Sequence, residues 1–193
     1  MYNNFGEFMD NNIKKQIVSG TYDAEVVKEF GITHIKYADC DENMLVKVDN
    51  KLLHKDCAEA FIKMQKAAKK EGIKLFVVSG FRSKLQQISI FKKKFKDKEN
   101  PTDEEMYARL QFSAPAGYSE HHTGYAVDIN SLEQDFEEED AYKWLLTNAP
   151  HFGFENSFPK NNVQNLGFEP WHWRYVGDEN TRKIFQYARN LKK

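Results

Sequence analysis

At 193 residues, 40% hydrophobic and 14% aromatic, the chain is long enough to bury one sizeable core and too short for two comfortable domains. Its 28 Lys and Arg balance 29 Asp and Glu for a formal net charge of -1, so composition gives no pull toward nucleic acid or an anionic membrane surface. Cys40 and Cys57 form no CxxC pair and read as ordinary thiols, which argues against a disulfide framework or a thiolate zinc site.

From Met1 to Tyr22 the chain carries Glu7, Asp10, Lys14, Lys15 and several Asn, leaving no apolar run for a signal peptide or membrane span. The chain as it stands is therefore expected to be soluble and cytoplasmic. The cell envelope is its place if a leader has been trimmed away, because that would leave the same sequence. His54 to Glu71 predicts an amphipathic helix with Cys57, Phe61, Met64 and Ala68 inward and Gly72 as its stop. Ile73 to Val78 reads as a short buried strand that runs into Ser79-Gly80 and a loop bearing Phe81, Arg82 and Ser83.

Leu85, Ile88, Phe91 and Phe95 predict a helix over Lys84 to about Lys98, ended by Asn100-Pro101. Thr102 with Glu105 forms a capping-box pattern that starts a shorter helix through Met106 and Leu110, and Ser113 to Gly117 is loop. Tyr125 to Ile129 alternates like a strand, and a helix around Trp144 and Leu145 should end at Pro150. Glu155 to Gly167 looks irregular. Trp171 to Val176 predicts a strand, and Asn180 to Leu191 a closing helix with Ile184, Tyr187 and Leu191 inward. Helices that precede and interleave with strands, without a regular βαβ rhythm, predict an α+β class: a single compact domain with a small, mainly antiparallel sheet flanked by helices.

Two stretches carry the chemistry. In Ser119-Glu120-His121-His122-Thr123-Gly124-Tyr125-Ala126-Val127-Asp128, a histidine and an aspartate stand seven apart around Gly124, which lets the chain reverse so that both converge on one ion. Imidazole nitrogen with carboxylate oxygen is a donor set that zinc accepts. In Glu169-Pro170-Trp171-His172-Trp173-Arg174-Tyr175-Val176-Gly177, His172 offers a third ligand and Glu169 a carboxylate that need not bind the metal. A catalytic zinc takes three protein ligands and leaves a place for water, whose proton a neighbouring carboxylate can take. His122 could replace His121 as ligand but breaks the His-x-x-Gly pattern, so it reads as a supporting or surface residue. His34, His54 and His151 read as structural or surface histidines, Trp173 and Tyr175 as core or cleft-wall aromatics, and the acidic run Glu137 to Asp140 as a solvated helix start.

Together SGFRS (Ser79 to Ser83), SEHHTGYAVD (Ser119 to Asp128) and EPWHWRYVG (Glu169 to Gly177) resemble the VanY-type D-alanyl-D-alanine carboxypeptidases. That family includes LD-carboxypeptidases of the LdcB type and is related to D-Ala-D-Ala dipeptidases. The blocks stand in the family's order over roughly Leu53 to Gly177. The resemblance implies a Hedgehog/DD-peptidase-like fold in which residues 51–193 form the catalytic core and 1–50 an N-terminal extension packed on it. It implies one zinc ion held by His121, Asp128 and His172, with Glu169 as the catalytic base. It also implies that Arg82 polarises the scissile carbonyl or holds substrate, that Gln87 contacts the substrate's terminal carboxylate, and that Ser119 makes another polar contact in the same pocket. One departure is Ser157-Phe158-Pro159, where relatives usually carry Arg-Tyr-Pro; another is Leu166-Gly167 in place of Thr-Gly.

The implied reaction is removal of a C-terminal D-amino acid from peptidoglycan stem peptides or muropeptides, by a protein with no nucleic-acid partner and no membrane insertion, monomeric by default. A D-Ala-D-Ala dipeptidase, a cell-wall endopeptidase and a non-catalytic zinc-containing wall-binding module are the alternatives. The presence of Glu169 argues against the last, since a structural zinc site closes its fourth position and has no use for a base.

Overall fold

Two hydrophobic clusters, gathered by different helices, organise residues 9–191, the part described by the computed structural model. Residues 1–8 of the N-terminal stretch, read above for a leader, lie outside the described residues, as do 192–193. Helix α1 (Asn11–Ser19) starts where the Asp10 carboxylate accepts the amides of Asn12 and Ile13. The hairpin of β1 (Val26–Glu29) and β2 (Ile32–Ile35) follows, then a second of β3 (Leu45–Val48) and β4 (Lys51–His54), which turns at Asp49 and Asn50, both at positive φ. Helix α2 (Lys55–Lys70) leads to β5 (Val77–Ser79), and α3 (Lys84–Lys92) and α4 (Asp103–Phe112) come next. The chain continues through β6 (Ala126–Ile129), α5 (Asp140–Asn148), β7 (Phe154–Asn156), β8 (His172–Tyr175), α6 (Glu179–Ile184) and α7 (Gln186–Asn190).

The main sheet has the order β5-β6-β8-β7, antiparallel throughout. On β6, Val127 and Ile129 join the first cluster together with Trp173 of β8 and Cys57, Phe61, Met64 and Ala68 of α2. Because strand side chains alternate between faces, Ala126 and Asp128 turn to the opposite face. The register sets Asp128 directly across from His172. A slip of one residue would send the aspartate into the apolar core.

The second cluster joins Ile17 and Val18 of α1, Val27 and Ile32 of the first hairpin, Phe91 of α3 and Met106 and Leu110 of α4. Burial of each such large side chain contributes about 1.5–3 kcal/mol. A reciprocal clamp fastens this hairpin to a distant segment: the Thr33 amide donates to the Gln164 carbonyl at 2.9 Å, and the Gln164 side chain donates back to the Thr33 carbonyl at 3.0 Å. The cleft between the clusters is lined from both sides, by His121, Glu169 and His172 on one and by His34, Gln87 and Phe112 on the other. Among the described residues, no helix is long and apolar enough to cross a membrane.

Several local expectations need correction. Helix α3 stops at Lys92, not Lys98, because turns take over: the Phe95 amide bonds Lys92, and the Asp97 carboxylate captures the amides of Glu99 and Asn100. Leu85, predicted inward, is 79% exposed. The expected closing helix breaks at Phe185 into α6 and α7, and the break rotates Phe185 and Ala188 inward while Tyr187 is 50% exposed. The strand expected over Ile73 to Val78 pairs only from Val77, and the stretch expected to be irregular begins with the edge strand β7. By contrast, the capping box of Thr102 and Glu105 forms, and α2 buries all four of its predicted inward residues.

Candidate metal centre and substrate cleft

The site is assembled where β5, β6 and β8 meet a tight turn. Ser119 caps a 3-10 turn over Glu120–Thr123, and Gly124 ends it at φ +72, a left-handed conformation open chiefly to glycine. This turn hands His121 to the same face as Asp128. Gly80 closes the end of β5, where an added Cβ would lie 2.3 Å from the Leu52 carbonyl, and its own carbonyl takes the His121 Nδ1 proton at 2.7 Å. On the far side, the His172 amide bonds the Glu169 carbonyl at 3.2 Å, and this turn brings the Glu169 carboxylate to 3.7 Å from His172 Nδ1.

His121, Asp128 and His172 thus offer three buried ligand atoms within 4.8 Å of one another. Since a carbonyl can only accept, His121 Nδ1 is the protonated nitrogen and Nε2 carries the lone pair. Burial, with Arg82 nearby, lowers this imidazole to about 4, so it is neutral at pH 7. Its buried Nε2 has no hydrogen-bond partner, although Asp128 Oδ2 lies 3.2 Å away. Two acceptors facing each other at that distance call for a cation between them. Two imidazoles and a carboxylate are a fitting donor set for zinc.

His172 is held at both nitrogens. Nε2 donates to Glu120 Oε2 at 3.0 Å and Nδ1 to Asp128 Oδ1 at 3.0 Å. Burial opposes charge on this ring, yet the hydrogen bonds to Asp128 and Glu120 hold it up at about 10. A metal taken at Nδ1 would displace that proton. Burial likewise opposes ionisation of Asp128, but His121 and His172 keep it far below the usual carboxylate range. Glu169 goes the other way: burial raises it to about 8 against the attraction of His172.

The remaining predicted residues line the same cleft. Arg82 Nη1 donates to Gln87 Oε1 at 3.0 Å, Nη2 lies 3.8 Å from Asp128 Oδ2, and Nε is buried without a partner. Gln87 is buried with both ends of its amide engaged, Nε2 donating to the Ala114 carbonyl at 2.7 Å, so it braces Arg82 against the loop after α4. The Ser119 hydroxyl accepts the His121 amide at 3.4 Å. His122 turns away from the cluster: its Nδ1 donates to the Arg82 carbonyl at 2.7 Å, and its Nε2 accepts the Gly117 amide at 3.0 Å. It is a buried clamp on the Arg82 loop.

The sequence reading missed Glu120, which is fully inside the network through Arg174, Ser157 and His172. One signal could have found it: Arg174 stands two residues after His172 on a strand, hence on the same face, and a buried arginine needs a carboxylate. His34 was also passed over as a cleft residue; its Nε2 donates to the Leu110 carbonyl at 2.8 Å.

Residues 50–178 match the family model described as VanY, D-alanyl-D-alanine carboxypeptidase. YodJ of Bacillus subtilis is 38% identical over 146 residues, which cover 72% of this chain and 51% of YodJ. The chain spans about half the length of the curated relatives it matches. Among solved structures, the LdcB LD-carboxypeptidase superposes with a TM-score of 0.62 at 29% identity, covering 90% of this chain and 82% of that one. A variant of the vancomycin-resistance D,D-pentapeptidase VanY, solved in complex with Zn(II), gives 0.61 at 29% identity, over 79% of this chain and 92% of that one.

Proposed function

This chain belongs to the VanY family of D-alanyl-D-alanine carboxypeptidases, and from that premise we propose that it is a zinc-dependent carboxypeptidase releasing a C-terminal D-amino acid from peptidoglycan stem peptides. One observation carries the reading: His121 Nε2 and Asp128 Oδ2 face each other as unprotonated acceptors beside His172, with a fourth group, Glu169, within reach of the same point. The VanY relative crystallised with Zn(II) supports the choice of metal.

His121 would hold the ion through Nε2, His172 through Nδ1 and Asp128 through its carboxylate. When bound, zinc supplies a Lewis acid and lowers the pKa of a water molecule toward neutrality. Glu169 takes the proton from the attacking water and delivers it to the departing amine, a role suited to a carboxylate 3.7 Å from His172 Nδ1 that is outside the ligand set. Arg82 directs its guanidinium at the carbonyl oxygen as negative charge develops there, and Gln87 fixes its aim. Ser119 and the braced Arg82–Gln87 pair receive the polar end of the peptide. In the same reading the chain acts as one domain, with the described residues from 51 onward as the catalytic core and 9–50 packed on it.

Mass spectrometry of products from defined tri-, tetra- and pentapeptide muropeptides, with and without a chelator, tests the proposal. A single free D-amino acid, lost on chelation and restored by zinc, is the expected result. Splitting of added free D-Ala-D-Ala, with the muropeptides left intact, would instead make it a dipeptidase, cross-bridge fragments an endopeptidase, and zinc content without any product a binding module.

A further inference from the structure

Glu120 is nearly inaccessible, yet four donors converge on its two oxygens. Oε1 accepts Arg174 Nη1 at 2.6 Å and the Tyr37 hydroxyl at 3.4 Å, while Oε2 accepts the Ser157 hydroxyl at 2.6 Å and His172 Nε2 at 3.0 Å. An isolated ion pair with Arg174 would leave Oε2 free to turn. Here the second oxygen is fixed by Ser157 and aimed at the edge of the imidazole opposite the metal cluster.

We propose that Glu120 is a positioning residue that receives the Nε2 proton of His172 and thereby locks the ring with Nδ1 toward the metal. This inference rests on the zinc-peptidase reading above and adds to it a residue outside the ligand set. Metal-bound histidines generally give their other N–H to a carboxylate or carbonyl, which fixes the tautomer and strengthens the ligand. His121 uses the Gly80 carbonyl, whereas His172 uses a full negative charge.

The anchoring continues outward. Arg174 Nε donates to Glu155 Oε1 at 2.8 Å, and Arg189 of α7 donates to the same oxygen at 3.1 Å, so a row of alternating charges runs from the closing helix to the ligand. Phe158 covers one face of the His172 ring, with centroids 4.9 Å apart. Both departures in the Ser157-Phe158 pair therefore fall on the support of this one histidine, one through its carboxylate and one through its ring.

The test compares the full chain with Glu120→Gln and with the double variant Glu120→Gln, Arg174→Met, in which the buried charges are removed together. Zinc affinity is read by competition with a chromophoric chelator, and the ring-nitrogen resonances of His172 by NMR of the zinc-loaded protein. The expected result is a 10–100-fold loss of affinity in both variants, with a moved Nε2 resonance. If Glu120→Gln does not fold, the double variant gives the answer alone. A merely structural Glu120 would lower the unfolding temperature while leaving the affinity and the Nε2 resonance of the folded variant unchanged, and that result overturns the proposal. A parent chain that binds no zinc removes the peptidase reading and this inference together. A parent that binds zinc no better than its variants removes this inference only.

Discussion

The two cores of this protein bury different things. The cluster under the sheet is topped by Glu120, His121, Asp128, Glu169, His172 and Arg174, six ionisable side chains that are all buried. The cluster formed by α1, the first hairpin, α3 and α4 is apolar, with His34 as the buried histidine beside it. Reactivity is thus concentrated on paired strands, where register holds Asp128 across from His172, while the other core builds the facing wall of the cleft. Chemistry and stability should therefore respond to different substitutions.

The largest effect is expected on the reactive side. Glu169→Gln should cut turnover by about 10²–10⁴-fold, with zinc content unchanged by elemental analysis. A variant as active as the parent would remove Glu169 from the mechanism.

On the opposite side, Met106→Ala opens a cavity in the second core and should cost about 2–5 kcal/mol of stability in urea denaturation. Its zinc affinity should match that of the parent, and a parallel loss of both would dissolve the contrast between the cores.

The smallest effect comes from His34. Burial lowers this histidine to about 4 against an ordinary 6.5, so between those values the unfolded chain binds a proton that the folded one refuses. Stability contributed by keeping it neutral is present above about pH 6.5 and is lost as pH falls toward 4, by up to ~3 kcal/mol. In His34→Gln, denaturation midpoints measured across that window should fall less steeply than in the parent; equal slopes would show that the histidine does not drive the loss.

Much of this arrangement was legible from local pattern. Cys57, Phe61, Met64 and Ala68 repeat at helical spacing because α2 is straight and packs on one surface, and they are all buried. His121 and Asp128 were legible as a candidate pair because the tight turn at Gly124 sets them seven apart, whereas His172, 44 residues beyond Asp128, joined them only through the Glu169 to Gly177 block and the family resemblance. Position Tyr187 misled because periodicity assumes an unbroken helix, and the break at Phe185 rotates everything after it. Glu120 stayed hidden for another reason: its partners Ser157, His172 and Arg174 lie 37, 52 and 54 residues away, where no local period reaches. The pairing of the first hairpin with Gln164 is similarly invisible to a scan along the chain.

That pairing has a consequence in time. Thr33 and Gln164 are 131 residues apart, so the hairpin leaves the ribosome long before the segment that clasps it exists. Contacts between residues so far apart in sequence form more slowly than local ones, and the chain is synthesised from its N-terminus. The groove facing the candidate metal ligands therefore cannot be complete until the segment carrying Gln164 has been made and has paired with the first hairpin.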